Sequence, residues 1–195
     1  EIPGAFLISG YDYLDALETF REGCFQVQDI SSMMVGEWAD PKEGDYIIDV
    51  CAAPGGKSVH LADKMKGTGT VEARDLTEYK VNLIRDNIER LGLSNVVAVQ
   101  QDALELDETS LEKADIVIAD LPCSGLGVLA KKSDLKYKMT EQMQKELAKL
   151  QRDILSVVRR YVKPGGRLIY STCTIDREEN EENAAWFADK FRNFI

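Results

Sequence analysis

The chain of 195 residues has one histidine and four cysteines, and each scarcity removes a class of protein. The cysteines are Cys24, Cys51, Cys123 and Cys173, separated by 27, 72 and 50 positions. Those gaps lack the paired spacing of a metal site, so no metal is expected. Dispersed cysteines in an acidic chain suit a reducing, cytoplasmic compartment better than a disulfide framework. The one histidine, His60, falls in a segment of helical spacing and reads as solvated or partly packed. No apolar run nears the length that spans a bilayer, and no charged-then-apolar leader opens the chain. It begins "EIPGAF", without an initiator methionine, as a piece of a longer protein would. Bases are also few: 24 Lys and Arg stand against 34 Asp and Glu, a formal charge of −10. Affinity for a polyanion comes largely from neutralising phosphates. A nucleic-acid partner would therefore need local cationic patches or surfaces outside this chain.

What is present is a regular alternation. Hydrophobic residues make up 44% of the chain, enough for a real core. Short β-rich runs at "DYIIDVCA" (45–52), "GTVEARD" (69–75), "NVVAVQQD" (95–102), "ADIVIADL" (114–121) and "RLIYSTC" (167–173) predict five strands. Between them, "KSVHLADKMK", "EYKVNLIRDNIERLG" (78–92) and "TEQMQKELAKLQRDILSVVRRYVKPGG" (140–166) have helical spacing, and "DREENEENAAWFADKF" (176–191) makes a last helix. Gly92 is a helix stop, and Pro-Gly-Gly closes the long helix. The acids of "REENEEN" read as a solvated helix start, favoured by the helix dipole. Such alternation predicts an α/β fold with a doubly wound, mainly parallel sheet, whose ligands sit beyond the carboxyl ends of the strands.

The residues at those ends are polar, sulfur-bearing and glycine-rich: "CAAPGGK", Asp75, Asp102, "DLPCSG" and "TCT". The loop "DVCAAPGGKS" (49–58) joins a strand to a helix, where glycines admit a ligand close to the backbone. It is not a phosphate-binding P-loop, because the position needing the first glycine is Cys51. Nor is it a dinucleotide fingerprint, since Gly55 and Gly56 are adjacent. Asp75, about 20 residues on, stands where an acid binds ribose hydroxyls. A nucleoside ligand without a pyrophosphate fits, S-adenosylmethionine being the commonest; a purely structural glycine turn is the alternative. Cys24 and Cys51 read as packing residues. Cys123, just past the fourth strand, is a nucleophile, a packing residue or an assistant to a nucleophile elsewhere. Lys131, Lys132, Lys136 and Lys138 read equally as a solvated loop or as phosphate contacts.

"DVCAAPGGKS", "DLPCSGLGVL" and "YSTCT", in this order and at these distances, resemble the RNA cytosine-5 methyltransferases of the RsmB/NSUN group. "FREGCFQVQDISS" (20–32), "SDLKYKMT" with "LAKLQRDIL" (133–155) and "REENEEN" (177–183) look most like its RsmB branch. The resemblance implies a class I, Rossmann-like fold over residues 45–195, with residues 1–44 as an N-terminal segment packed on it. It implies S-adenosylmethionine held by Cys51, Ala52, Ala53, Pro54, Gly55, Gly56 and Lys57, with Asp75 on the ribose and Asp102 near the adenine. Asp120 would lie near the reacting end and the target base. Cys173 matches the family's nucleophile, and Cys123 the cysteine that assists product release. The implied partner is RNA, most closely bacterial small-subunit ribosomal RNA, with transfer RNA as the alternative. The branch's upstream RNA-binding domain and the closing strand pair around Gly-Phe-Phe are not in this sequence, so about five strands are expected. A binding factor without chemistry is the rival reading, disfavoured by the presence of both cysteines. An amino-group methyltransferase is disfavoured because Cys123, not a proline and an aromatic, follows Pro122.

Overall fold

The computed structural model describes residues 2–128 and 139–194. Five strands form one all-parallel sheet: β1 (Tyr46–Asp49), β2 (Thr70–Asp75), β3 (Val96–Gln100), β4 (Ala114–Asp120) and β5 (Val162–Ser171). Their order across the sheet is β3-β2-β1-β4-β5. The chain winds outward from β1 to one edge, then crosses back to β4. The carboxyl ends of β1 and β4 are therefore neighbours where the winding reverses, the place where such sheets open a crevice.

Both faces of the sheet are buried, which explains the unbroken apolar runs. Successive side chains point to opposite faces. Ile47, Ile116 and Ile118 pack with Leu61, Ala62, Met65 and Ile84 on one side. Ile48, Val117 and Ala119 pack with Ile154, Leu155, Val158 and Tyr161 on the other. The helices are α1 (Glu18–Arg21), α2 (Ile30–Ala39), α3 (Gly56–Lys64), α4 (Glu78–Leu91), α5 (Glu141–Val158) and α6 (Asn183–Lys190). Thr77 caps α4 by accepting the Lys80 N–H, and Gly92, at φ +63°, ends it as expected. Thr140 caps α5 in the same way.

Two expectations about the last third need correction. The long helix does not run to the Pro-Gly-Gly at 164–166: it ends at Val158, and a 3-10 turn, Arg159–Tyr161, leads into β5 at Val162. Burial of Tyr161 and pairing of Val162 with Ala114 outweigh the helical pattern, and the Pro-Gly-Gly lies where the β4–β5 register shifts. Nor is "REENEEN" a solvated helix start. Glu178–Glu182 is a single π-helical turn before α6, and Glu179 and Asn183 are fully buried.

Residues before β1 touch the sheet's helices directly. Arg90 of α4 donates to the carbonyls of Phe20 and Phe25 at 2.9 and 3.1 Å and lies over the Phe20 ring. Lys64 of α3 pairs with Glu37 of α2 at 2.6 Å. His60 is partly packed, as expected. Its ring lies so close to Gly36 that a Cβ there would sit 2.6 Å from Nδ1. Cys24 is not a packing residue: it is exposed in the turn after α1, where its backbone, not its sulfur, is anchored. Among the described residues, no helix is long and apolar enough to cross a membrane.

Candidate active site

The loop after β1 turns sharply into α3. Gly55 takes φ +103°, a conformation that strains any residue with a Cβ, and α3 starts at Gly56. Residues Cys51 to Pro54, Gly56 and Lys57 of this loop line a cavity of about 290 Å³ with Gln26, Gln28, Asp29 and Ser32. Asp49 forms its inner wall. This carboxylate is 1% exposed; Oδ2 accepts the Ser58 hydroxyl at 2.6 Å, while Oδ1 has no hydrogen-bond partner. Burial pushes its pKa up to about 7. An unsatisfied buried acceptor in a cavity wall suits a ligand that brings a cationic N–H group, as an amino acid moiety does. Cys51, largely buried, has its thiol pushed up to about 12, mainly by desolvation, so it is inert packing beside the cavity.

A second cavity of about 240 Å³ adjoins the first, lined by residues including Ser31, Val35, Gly127, Ser171 and Cys173. Ser32, Lys57 and Asp120 line both. Lys57 Nζ donates to Asp120 Oδ2 at 2.6 Å and to Ser32 Oγ at 3.4 Å. Ser171 Oγ donates to Asp120 Oδ1 at 2.7 Å. Asp120 is thus held in place from both sides at the boundary of the two spaces.

The sulfurs meet beyond Asp120. Cys123 follows β4 and Cys173 follows β5, neighbouring parallel strands, so the two loops leave the sheet side by side. Cys123 Sγ lies 3.1 Å from Cys173 Sγ, and the Cys173 N–H donates to Cys123 Sγ at 3.2 Å. Cys173 is exposed and Cys123 half-buried. The contact with Cys173, reinforced by burial, pushes the Cys123 thiol far up.

The structure thus brings together Cys51 to Lys57, Asp120, Cys123 and Cys173. Asp75 and Asp102 line neither cavity. Asp75, 3% exposed, accepts the Ala53 N–H at 3.0 Å and the Leu76 N–H at 2.8 Å, and pairs with Lys80 at 3.0 Å. It holds the glycine loop from below. Asp102 accepts the Leu104 N–H at 2.9 Å within its own turn. Lys131, Lys132, Lys136 and Lys138 lie outside the described residues. Sequence reasoning missed Asp49, Ser32 and Ser171. Asp49 had a signal, an acid ending the first strand at the ligand edge; the two serines had none. Among the described residues no cluster of His, Cys, Asp or Glu could hold a metal ion.

Residues 37–193 match the family 16S rRNA methyltransferase RsmB/F. The chain belongs to that family. This RsmB/F-family chain is 43% identical over 176 residues to the "Probable ribosomal RNA small subunit methyltransferase B" of Bacillus subtilis, over 90% of its own length and 39% of the relative's. It is 38% identical over 177 residues to the "tRNA (cytosine(72)-C(5))-methyltransferase" of Pyrococcus horikoshii, covering 91% of this chain and 44% of that one. A solved structure titled "The crystal structure of NSun6 from Pyrococcus horikoshii with SFG" superposes with a TM-score of 0.85 at 36% identity, covering 92% of this chain and 46% of the other. The chain spans about two-fifths of the length of these curated relatives. Its all-parallel sheet is that of the class I, Rossmann-like methyltransferases, as expected.

Proposed function

We propose that this chain is the catalytic part of an S-adenosylmethionine-dependent RNA cytosine-5 methyltransferase that acts on small-subunit ribosomal RNA. The observation that carries the reading is the pair of thiols 3.1 Å apart, beside an acid that borders the glycine-loop cavity. The names of the relatives support both the reaction and the substrate class, and SFG, bound in one of them, is an analogue of S-adenosylmethionine. Residues 1–44 serve as a segment packed on a methyltransferase domain of residues 45–195. The reducing cytoplasm suits the paired thiols.

Carbon-5 of cytosine is a weak nucleophile. Addition of the Cys173 thiolate to carbon-6 makes carbon-5 electron-rich, the usual gain from covalent catalysis. The cofactor supplies an electrophilic methyl group. Cys51 to Lys57 and the orphan oxygen of Asp49 would hold it, with Asp75, which anchors the loop at the Ala53 N–H, serving the ribose and Asp102 serving the adenine. Asp120, clamped by Lys57 and Ser171, faces the edge of the base. Release then needs a base for the carbon-5 proton. The electrons of that bond form the ring double bond, and those of the carbon–sulfur bond return to Cys173. Contact with Cys173 is the largest cause that keeps Cys123 protonated. Once the Cys173 sulfur is bonded to carbon-6 it is a neutral thioether without an ionisable thiol, and Cys123 is closer to the state that accepts a proton.

Denaturing gels of the full-length natural protein with RNA test these roles. Cys173→Ala should give neither adduct nor methylation, whereas Cys123→Ala should retain a denaturation-resistant adduct with methylated RNA. The reverse pattern would exchange the two roles, and near-normal turnover of Cys123→Ala would leave it a packing residue. Transfer RNA is the second reading, favoured by the 38% identity to a transfer-RNA enzyme. Methylation of isolated small-subunit RNA but not transfer RNA by the wild type decides between them.

A further inference from the structure

Behind the two thiols lies a buried polar network that the proposed chemistry does not use. Glu179 is 0% exposed, and among the described residues no ion-pair partner accounts for its burial. Its Oε2 accepts the Ser124 N–H at 3.0 Å and the Gln151 Nε2 at 2.8 Å. The same Gln151 Nε2 donates to the Pro122 carbonyl at 2.8 Å. Glu179 and Gln151 thereby grip the residues on either side of Cys123. The neighbouring Asn180 grips the other loop. Its Oδ1 accepts the Thr172 hydroxyl at 2.5 Å and its Nδ2 donates to the Thr174 carbonyl at 3.0 Å, on either side of Cys173. Ser124 and Thr174 share a hydroxyl hydrogen bond at 2.7 Å that ties the two loops together.

Both gripping residues sit on the π turn Glu178–Glu182. A π turn presents consecutive side chains differently from an α-helix and is frequent at functional sites. Burying a carboxyl group to make hydrogen bonds is an unfavourable way to stabilise a fold, since an apolar side chain would fill the same space without desolvating polar atoms. Two adjacent residues, each flanking a different cysteine from behind, point to a placement role.

We propose that the π turn is a positioning device with divided labour, in which Glu179 sets Cys123 for release and Asn180 sets Cys173 for attack. Neither side chain touches substrate; each acts through the loop it holds. The inference rests on the roles of the two cysteines proposed above.

The test uses the full-length natural protein with methyl-accepting RNA and S-adenosylmethionine. It reads turnover, the fraction of enzyme trapped as RNA adduct, and melting temperature, with Cys123→Ala as the reference. Glu179→Ala should lower turnover about 10- to 100-fold, as displacement of a reacting group does, and raise the trapped fraction severalfold. Glu179→Gln keeps an oxygen for the Ser124 N–H and should fall between Glu179→Ala and wild type. Asn180→Ala should instead slow adduct formation about tenfold with no trapping. Lost turnover with a wild-type trapped fraction in both Glu179 variants would make Glu179 merely structural and overturn the proposal. Trapping by Asn180→Ala would also overturn it. If Glu179→Ala does not fold, Glu179→Gln alone decides on the same readout. If Cys123→Ala traps and the Glu179 variants do not, only this proposal falls; if Cys123→Ala itself does not trap, the release role falls and takes the proposal with it.

Discussion

Single carboxylates in this molecule do different work according to their surroundings. Asp120 is held by a lysine and a serine, Asp75 by two backbone N–H groups and Lys80, and Asp49 by the Ser58 hydroxyl in the wall of the loop cavity. Burial, reinforced by the nearby Asp120 carboxylate, separates Asp49 from an ordinary acid and gives the folded protein a pH dependence. The unfolded carboxyl ionises near pH 3.8, the folded one near 7. The folded state therefore keeps a proton that the unfolded state has lost, so the contribution of Asp49 is full below about pH 4 and lost as pH rises to about 7. Asp49→Asn stays neutral throughout. Urea melts should show the variant gaining about 3 kcal/mol on the wild type between pH 5 and pH 8. A constant gap across that range would mean that Asp49 ionises normally. Asp49 was visible in the sequence as an acid at a strand end. Its missing partner was not, because desolvation depends on everything packed around it.

At the scale of elements, strands and capped helices follow local chemistry. Gly92 and Thr77 bound α4 as turn and cap residues should, and β4 is centred on the buried β-branched Ile116, Val117 and Ile118. One misread element is the junction of α5 and β5, where a turn-forming Pro-Gly-Gly belongs to an irregular strand instead of a helix end. Gly166 is there for space: a Cβ would lie 2.8 Å from the Asp115 carbonyl oxygen and 2.9 Å from that of Ala114. Backbone cannot step aside as a side chain can. Gly166→Ala should therefore cost about 1–3 kcal/mol, read as a lower denaturant midpoint with unchanged slope. Gly56→Ala, where no atom lies within 4 Å, is the control and should change the midpoint little.

For the whole molecule, charge is the governing quantity. A net charge of −10 repels a polyanion, and phosphate contacts supply most nucleic-acid affinity. This chain by itself should bind RNA weakly at physiological salt, with affinity rising steeply as salt is lowered. Filter binding across a salt series checks this, and tight binding insensitive to salt would contradict it. The strand order keeps the two cavities and both thiols at the carboxyl ends of β1, β4 and β5, so the proposed RNA chemistry would occupy one confined place on an acidic body.

The sequence by itself determined the parallel α/β fold, because period and turn chemistry are local, and it named the loop, Asp120, Cys123 and Cys173 through their motifs. Tertiary structure alone decided which of these residues meet. Cys123 and Cys173 are 50 positions apart in the chain and 3.1 Å apart in space because β4 and β5 are adjacent and parallel. The same is true of Glu179, which reads as one more acid in a solvated run. It becomes a buried anchor only because Ser124, Gln151 and Tyr170, from three separate segments, converge on it. Burial and partnership are properties of distance in space, and no pattern along the chain encodes them directly.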